Sequence, residues 1–264
     1  IRPFFQSQLE ACGVDYFDFY LMHAQSAAFY QHFKKCRAYE TAFALKAEGK
    51  IKHVGISFHD HAEVLEQILT DYPEIEVVQI QFNYVDYDDP AVQSRKCYEV
   101  CRRHGKPVLV MEPVKGGNLV NLPEEARKVL DELHGGSPAS YAIRFAAGFP
   151  GMMMVLSGMS TLEQVEDNLD TFDSLRPLNE EEKAAIAAAS ELYRTRTVVP
   201  CTGCRYCMPC PMGVDIPGIF RIRNNAAIYD AVSSAKEAYG RMEEKSRQTS
   251  CVNCKKCVSA CPQH

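Results

Sequence analysis

Short apolar runs alternate with longer amphipathic segments from residue 14 to about residue 170. Five of these runs fit buried strands: Phe17–Met22, His53–Ser57, Val77–Phe82, Val108–Met111 and Met153–Leu156. Helical periodicity follows over Ala38–Ala47, Ala62–Leu69, Val92–Arg103, Glu124–Leu133 and Leu162–Leu169. This alternation of strands and helices predicts an α/β fold in which helices cover a parallel sheet.

Two fold classes share this rhythm, the doubly wound open sheet and the (β/α)8 barrel, and periodicity does not separate them. The residues after the strands are more informative, because barrels assemble their sites just past the C-terminal ends of the strands. Polar residues collect there in this chain, as at His23, Ser57, Asn83, Glu112 and Ser157. We therefore predict a barrel.

Composition excludes several classes of protein. The chain has 264 residues, of which 46% are hydrophobic and 24% are charged, and its formal net charge is −5. These values describe a globular chain and argue against disorder and against a nucleic-acid scaffold. No stretch reaches the roughly 18 apolar residues of a transmembrane helix, and the start lacks the sections of a secretory leader. We expect a cytoplasmic protein that binds neither nucleic acid nor membrane.

Eight of the twelve cysteines fall between residues 201 and 261. This rise in the density of cysteines predicts a domain boundary, with one domain over residues 1–195 and a second over residues 196–264. The dense part contains two similar motifs, CTGCRYCMPCP from Cys201 and CVNCKKCVSACP from Cys251. Disulfides are a poor explanation, because a large body needs no covalent staples and cysteines in triplets two residues apart suit a metal.

The second motif fits the run of bacterial two-cluster ferredoxins, and the first is one residue shorter before its last cysteine. In that arrangement three thiolates bind one [4Fe–4S] cluster, and the cysteine before proline binds the other cluster. This predicts two crossed ligand sets. The Cys261 set contains Cys201, Cys204, Cys207 and Cys261. The Cys210 set contains Cys210, Cys251, Cys254 and Cys257.

Zinc is the alternative metal, because four-cysteine zinc ribbons have the same spacing between cysteines. A third cysteine at that interval is superfluous for a tetrahedral ion, so the spacing favours iron–sulfur clusters. Between the motifs, Ile228, Val232, Ala235, Tyr239 and Met242 recur at helical intervals and predict a helix with one buried face. We expect the tail to be a small α-helical ferredoxin-like domain.

Three ordered segments resemble the aldo-keto reductase family: GVDYFDFYLMH at Gly13–His23, KIKHVGIS at Lys50–Ser57 and SGMSTLEQVEDN at Ser157–Asn168. With its cysteine tail, the chain resembles the subgroup that carries a C-terminal two-cluster ferredoxin-like domain. The resemblance implies a (β/α)8 barrel, NADPH or NADH as cofactor, and hydride transfer to a small carbonyl substrate. It places His23 at the end of the fourth strand, so the chain corresponds to a partial barrel of strands 4–8. We expect this partial barrel to be inactive in hydride transfer by itself.

The resemblance also implies roles for residues at the strand ends. His23 matches the catalytic histidine that orients the substrate carbonyl, and Ser57 and Gln79 match positions that hold the nicotinamide carboxamide. Phe58 is a departure, because many reductases carry an asparagine beside the serine. From the residues alone, a hydrogen-bonded core histidine is the favoured interpretation of His23, and the resemblance is what favours a catalytic role. Four other histidines are expected on solvated surfaces or loops: His53, His59, His61 and His104.

The last βα turn matches the clamp for the adenosine and the 2′-phosphate. Its residues are Gly158, Ser160, Gln164 and Asn168. Ser160 replaces an arginine that is frequent in NADP-preferring members, which leaves the choice between NADH and NADPH open. Lys115 and Gly116 also suit an anion of the cofactor, because glycine lets the backbone approach a ligand closely.

Two functions follow from these observations. The first is an NAD(P)-dependent oxidoreductase of the aldo-keto reductase type, coupled to two [4Fe–4S] clusters for electron transfer with a redox partner protein. The alternative is an iron–sulfur electron-transfer protein whose barrel is a non-catalytic docking or nucleotide-sensing body. A hydride carries two electrons and each cluster passes one, so direct exchange is chemically awkward without a flavin.

Overall fold

The computed structural model describes residues 1–90, 92–228 and 231–263. Five parallel strands form one sheet: β1 (Phe17–Gln25), β2 (Ile51–Phe58), β3 (Val77–Gln81), β4 (Val108–Met111) and β5 (Met152–Val155). They lie in the sheet in the order in which they occur along the chain. Consecutive βα units of a barrel produce this order, whereas a doubly wound sheet places its first strand in the interior. The predicted partial barrel is confirmed.

Helices connect and follow the strands. They are α1 (Arg2–Cys12), α2 (Ala27–Lys35), α3 (Ala38–Ala47), α4 (Ala62–Asp71), α5 (Ser94–Arg103), α6 (Glu124–Asp131), α7 (Pro138–Ala147), α8 (Leu162–Asp173), α9 (Glu180–Arg196), α10 (Ile216–Ile228), α11 (Val232–Gly240) and α12 (Lys256–Ser259). The predicted helices correspond to α3–α6 and α8, with ends that differ by up to four residues. Within the described ranges, no helix has the length and apolar character needed to cross a membrane.

Helix α11 confirms helical structure in the tail, and the predicted apolar positions form its less exposed face. Ile228, at the end of α10, is buried, and Ala235, Tyr239 and Met242 are half-buried, whereas residues 233, 234 and 236–238 are exposed. Val232 is an exception, at 56% exposed. The helical spacing therefore located the face correctly, but that face is only partly covered.

Local sequence explains where two of the later helices begin. Thr161 and Gln164 form a capping box at the start of α8, and Asn179 and Glu182 form a second one at the start of α9. In each box the side chain of the first residue accepts a hydrogen bond from the backbone N–H of the second residue. The side chain of the second residue accepts one from the backbone N–H of the first. These contacts satisfy amide groups that otherwise have no partner within the helix.

The chain divides into two compact units. The sheet unit comprises Ile1–Phe82, Tyr87–Met111 and Phe149–Leu156. Its central strands β2–β4 are mostly buried, as expected for a parallel sheet that is covered by helices. The prediction of a buried strand is wrong for β5, where Met153 and Met154 are 44% and 46% exposed. An outer strand of a sheet has a neighbouring strand on one side only, which leaves its side chains less covered.

The helical unit comprises Asn83–Asp86, Glu112–Gly148 and Ser157–His264. Its core contains Leu119, Tyr141, Ile186 and Tyr193. The predicted division between residues 195 and 196 does not coincide with these units and stays a prediction.

Candidate functional site

His23 lies in β1 at a β-bulge. The register with β2 shifts between Met22 and Gln25, so that His23 and Ala24 both lie opposite Ser57. Ala24 has a φ of 54°, and its backbone N–H donates a hydrogen bond to the Ser57 hydroxyl at 2.9 Å. Bulges redirect side chains and are frequent beside active sites. The side chain of His23 is exposed, which leaves it accessible to a ligand.

Ser57 and Gln79 lie directly opposite each other on β2 and β3. Ser57 is buried and Gln79 is half-buried. The amide Nε2 of Gln79 donates to the sulfur of Met111 at 3.3 Å, which orients the side chain. Since the strands are parallel, His23, Ser57 and Gln79 gather at the carboxyl ends of three adjacent strands. This is the edge at which barrels assemble their sites.

His59 joins this group, and the sequence analysis did not select it. It lies in the loop after β2, as expected, but its side chain is half-buried. Burial, with a smaller contribution from the nearby charge of His23, lowers the pKa of His59 to about 4. His59 follows Ser57 by two residues, and residues at this spacing lie on the same face of an extended chain. This spacing was the signal in the sequence that could have placed His59 beside the site. Phe58 is buried, and its phenyl side chain has no polar group that could bind a ligand.

The clamp residues lie at the start of α8, in the helical unit. The backbone N–H of Ser160 donates to Gln164 Oε1 at 2.7 Å, and Asn168 Nδ2 donates to Ser157 Oγ at 3.0 Å. Gly158 is exposed, with open space around its Cα. The structure thus pairs Ser160 with Gln164 and places Asn168 beside the preceding turn. A helix N-terminus suits a phosphate group, because its N–H groups and dipole favour negative charge.

Lys115 and Gly116 have partners inside the helical unit. Lys115 is 1% exposed, and its Nζ lies 2.5 Å from Asp86 Oδ1. Asn83 Nδ2 donates to the other carboxylate oxygen of Asp86 at 2.7 Å. A Cβ on Gly116 would overlap the backbone carbonyl of Thr202. The prediction that this turn binds a cofactor anion stays a prediction, and the structure gives both residues a structural explanation.

Glu112, one of the polar residues after the strands, is half-buried, and one of its carboxylate oxygens is fully enclosed. Its φ is 54°, and partial burial raises the pKa of its carboxyl group, against the opposing charge of Lys115 and a contact with Thr202. Glu112 Oε2 and Thr202 Oγ1 are both buried atoms without a well-formed hydrogen bond to any described residue. The position of Glu112 after a strand was visible in the sequence, whereas its contact with Thr202, 90 residues away, was not.

The two cysteine loops share an unusual backbone. Gly203 and Arg205 in the first loop have positive φ, and Asn253 and Lys255 occupy the matching positions of the second loop with positive φ. Three of these four residues are not glycine, and such residues rarely adopt this conformation. Loops of this kind turn successive N–H groups inward and form concave anion sites, including those of iron–sulfur clusters.

The cysteines line two cavities. The Cys261 set lines a cavity of about 200 Å³, and the Cys210 set lines one of about 460 Å³. Cys207 and Cys257 border both cavities, whereas Cys261 borders only the first and Cys210 only the second. The last cysteine of each motif thus lies with the triplet of the other motif, which supports the predicted crossed sets.

The cavities have room for a group larger than a single ion. Even the smaller cavity, of about 200 Å³, is many times the roughly 10–15 Å³ of such space that one water molecule needs. The third cysteine of each triplet is what favours clusters over zinc. Burial raises the pKa of the Cys201 and Cys207 thiols. Metal ligation requires thiolates, so binding of a metal at these cysteines releases protons.

Comparison with known proteins now decides the family. Residues 1–191 match the aldo/keto reductase family. The chain belongs to this family. Residues 200–264 match the 4Fe-4S dicluster domain, so the predicted combination of a reductase domain and an iron–sulfur tail is confirmed.

Curated relatives are distant. The NADH-specific methylglyoxal reductase of Escherichia coli (strain K12) is 26% identical over an alignment of 197 positions, and the match covers 64% of this chain and 58% of that protein. An aldo-keto reductase of Mycobacterium sp. (strain KMS) is 25% identical over an alignment of 193 positions, and the match covers 71% of this chain and 62% of the relative. This aldo/keto reductase chain therefore spans about three fifths of the length of these relatives.

Solved structures show the same fold. Aldo-keto reductase AKR11C1 from Bacillus halodurans, in its holo form, has a TM-score of 0.57 at 23% identity, covering 70% of this chain and 65% of that one. An aldo/keto reductase from Klebsiella pneumoniae in complex with NADP and acetate has a TM-score of 0.55 at 22% identity, covering 72% and 63%. At these identities the likeness establishes the reductase fold.

Proposed function

We propose that this protein is an NAD(P)-dependent carbonyl reductase of the aldo/keto reductase family that carries two [4Fe–4S] clusters for electron transfer. Family membership supports the reductase class. The observation that carries the proposal further is the crossed grouping of the eight cysteines, in which two complete sets of four line two separate cavities. Two complete cysteine sets match the ligands that two clusters require.

The residues at the strand ends have distinct roles in this proposal. The imidazole of His23 donates a hydrogen bond to the carbonyl oxygen of the substrate and orients it. Ser57 and Gln79 hold the carboxamide of the cofactor, Ser57 through its hydroxyl and Gln79 through its amide. The Ser57 oxygen is fixed by the Ala24 N–H, and the Gln79 amide by the Met111 sulfur, so both groups are pre-oriented.

The turn before α8 holds the far end of the dinucleotide. Gly158 gives open backbone, and Ser160, Gln164 and Asn168 supply polar groups at the helix N-terminus. Lys115 and Gly116 are not among the cofactor contacts in this proposal. The ammonium group of Lys115 is paired with Asp86, and the carbonyl of Thr202 lies directly against Gly116. When bound, a nicotinamide cofactor supplies a hydride and the clusters supply single-electron transfer.

The exposure of the Cys210 set favours exchange of electrons with a second protein. Two members of the Cys210 set, Cys251 and Cys254, are exposed. In the Cys261 set only Cys204 is exposed, and the other three cysteines are half-buried. A cluster near the surface is accessible to a redox partner protein. This observation also supports the alternative function, in which the chain transfers electrons and the barrel is a docking or nucleotide-sensing body.

The test uses the full natural chain, purified anaerobically. We expect about eight iron and eight sulfide per chain and no zinc. We also expect NADH or NADPH oxidation that depends on a small carbonyl compound, with methylglyoxal as the first trial because a relative is named for it. His23→Ala should abolish this oxidation, whereas His53→Ala, on the exposed surface of the adjacent strand, should not.

Three results would contradict the proposal in different ways. A colourless protein with zinc and no sulfide would refute the clusters. Clusters that a protein donor reduces, without oxidation of either nucleotide by any carbonyl compound, would refute the reductase and support the alternative. Equal loss in the two histidine variants would refute the role of His23.

A further inference from the structure

Residues 112–118 form a closed turn, which we call the seat. Its backbone hydrogen bonds run from Lys115 N to Glu112 O at 3.0 Å, from Gly117 N to Val114 O at 3.0 Å and from Asn118 N to Lys115 O at 3.1 Å. Four of its residues have positive φ: Glu112, Lys115, Gly116 and Gly117. Non-glycine residues keep this conformation only where the surrounding structure holds them in it.

The helical unit anchors the seat through a buried polar network. Lys115 pairs with Asp86, and both side chains are almost fully buried. Asn83 Nδ2 donates to Asp86 Oδ2 at 2.7 Å and to the backbone carbonyl of Glu112 at 3.1 Å. Two residues of the seat are therefore tied to one short segment, Asn83–Asp86.

The seat contacts the loop that begins the first cysteine motif. The Cα of Gly116 packs against the carbonyl of Thr202 so closely that a Cβ has no room. Asn118 Nδ2 donates to the carbonyl of Cys201 at 3.4 Å. Just before this loop, Asn224 of α10 donates to Val199 O at 2.6 Å and accepts from Val199 N at 2.9 Å. The backbone around Cys201 is thus held by groups from two separate segments.

We infer that the seat is a positioning element for the iron–sulfur site of the Cys261 set. It fixes the backbone at Cys201 and Thr202 and so the direction from which the first thiolate approaches. This inference rests on the proposed function, because it concerns a cluster. It also assigns the Lys115-Gly116-Gly117 turn a role other than the binding of a cofactor anion.

Two glycine variants test the inference. Gly116→Ala and Gly117→Ala introduce the same methyl group at neighbouring positions with positive φ, but only the Gly116 methyl meets Thr202, whereas around Gly117 the space is open. Both variants are made in a Cys254→Ser background, so that the remaining electron paramagnetic resonance signal belongs to the Cys261 set. The full natural chain is used.

We expect Gly116→Ala to change the shape of this signal and shift its midpoint potential, or to remove the signal altogether. Gly117→Ala should leave the signal and potential at the values of the background. Equal effects of the two variants would refute the inference while leaving the proposed function intact. A parent protein without iron–sulfur clusters would refute the proposed function and the inference together.

A milder pair of variants covers the case in which Gly116→Ala does not fold. Asn118→Ala removes the hydrogen bond to Cys201, whereas Ser174→Ala removes an exposed side-chain bond, at 2.9 Å, to the carbonyl of Asp170, outside the seat. In the same background, we expect Asn118→Ala to speed the release of iron to a chelator about fivefold, which corresponds to about 1 kcal/mol. No change with Ser174→Ala is expected, and identical release rates in the two variants would overturn the inference.

Discussion

Replacing Lys115 by methionine removes one partner of a buried ion pair. Lys115 and Asp86 are 1% and 2% exposed, and the Nζ–Oδ1 distance is 2.5 Å. The variant leaves the Asp86 carboxylate buried without this counterion, while Asn83 Nδ2 still donates to its Oδ2. Breaking a buried pair in this way typically costs about 3–5 kcal/mol, because the remaining charge keeps its desolvation penalty without its counterion. Methionine retains most of the apolar stem, so little of this loss comes from a cavity.

A second variant separates charge from packing. Lys115→Met combined with Asp86→Asn removes both charges, and the new amide oxygen can still accept from Asn83. We expect this double variant to lose less than about 2 kcal/mol, because no charge remains buried. Anaerobic urea unfolding, monitored by circular dichroism, measures the stability of both variants. Lys115→Met alone should lower the urea concentration at the unfolding midpoint by more than about 1 M.

An exposed pair on α6 provides the matched control. Lys128 and Glu124 are 2.7 Å apart, with side chains that are 64% and 69% exposed. Lys128→Met should therefore leave the urea midpoint at the value of the parent, because solvent screens an exposed pair. If Lys115→Met unfolds at the same urea concentration as the parent but binds NADH or NADPH more weakly, the ammonium group contacts the nucleotide and our reasoning from burial is wrong.

Three further predictions concern the ligands and histidines. Cys210→Ser should remove the cluster of the other triplet and lower iron from about eight to about four per chain, and Cys261→Ser should do the same for the first triplet. In the full natural chain, His23→Ala should abolish carbonyl turnover while dinucleotide affinity changes by less than about threefold, since the proposed nucleotide contacts remain. The pKa of His59 is about 4, below the 6.5 of an unperturbed histidine, so the free energy of unfolding should rise between these pH values by up to about 3 kcal/mol.

Each of these predictions has a contrary result. Loss of the nearer cluster in Cys210→Ser would refute crossed ligation. Loss of nucleotide binding in His23→Ala, as large as its loss of turnover, would show that this residue holds the cofactor. For His59, the unfolded chain binds more protons between pH 4 and 6.5, so stability must fall as the pH drops through that range. A His59→Asn variant with the same pH slope as the parent would show that another group titrates.

Local sequence was sufficient for much of this fold. The apolar runs of β1–β5 and the helical repeats of α3–α6 and α8 are visible as periodicities, because each reflects a residue and its immediate neighbours. Helices α1, α2, α7, α9, α10 and α12 were not predicted, although the capping box at Asn179 and Glu182 was a local signal for α9. The cysteine motifs also carry their meaning in spacing alone, which is why the 4Fe-4S dicluster domain was recognisable.

The sequence by itself determined the family, the five strands and the cysteines that can bind clusters. Only the tertiary structure decided the partner of each buried polar group. Lys115 pairs with Asp86, Glu112 lies beside Thr202, and His59 is half-buried beside His23. These pairings join residues that are 29, 90 and 36 positions apart. Periodicity reports which side of an element is apolar, whereas burial and charge pairing depend on which distant segment comes to lie against it.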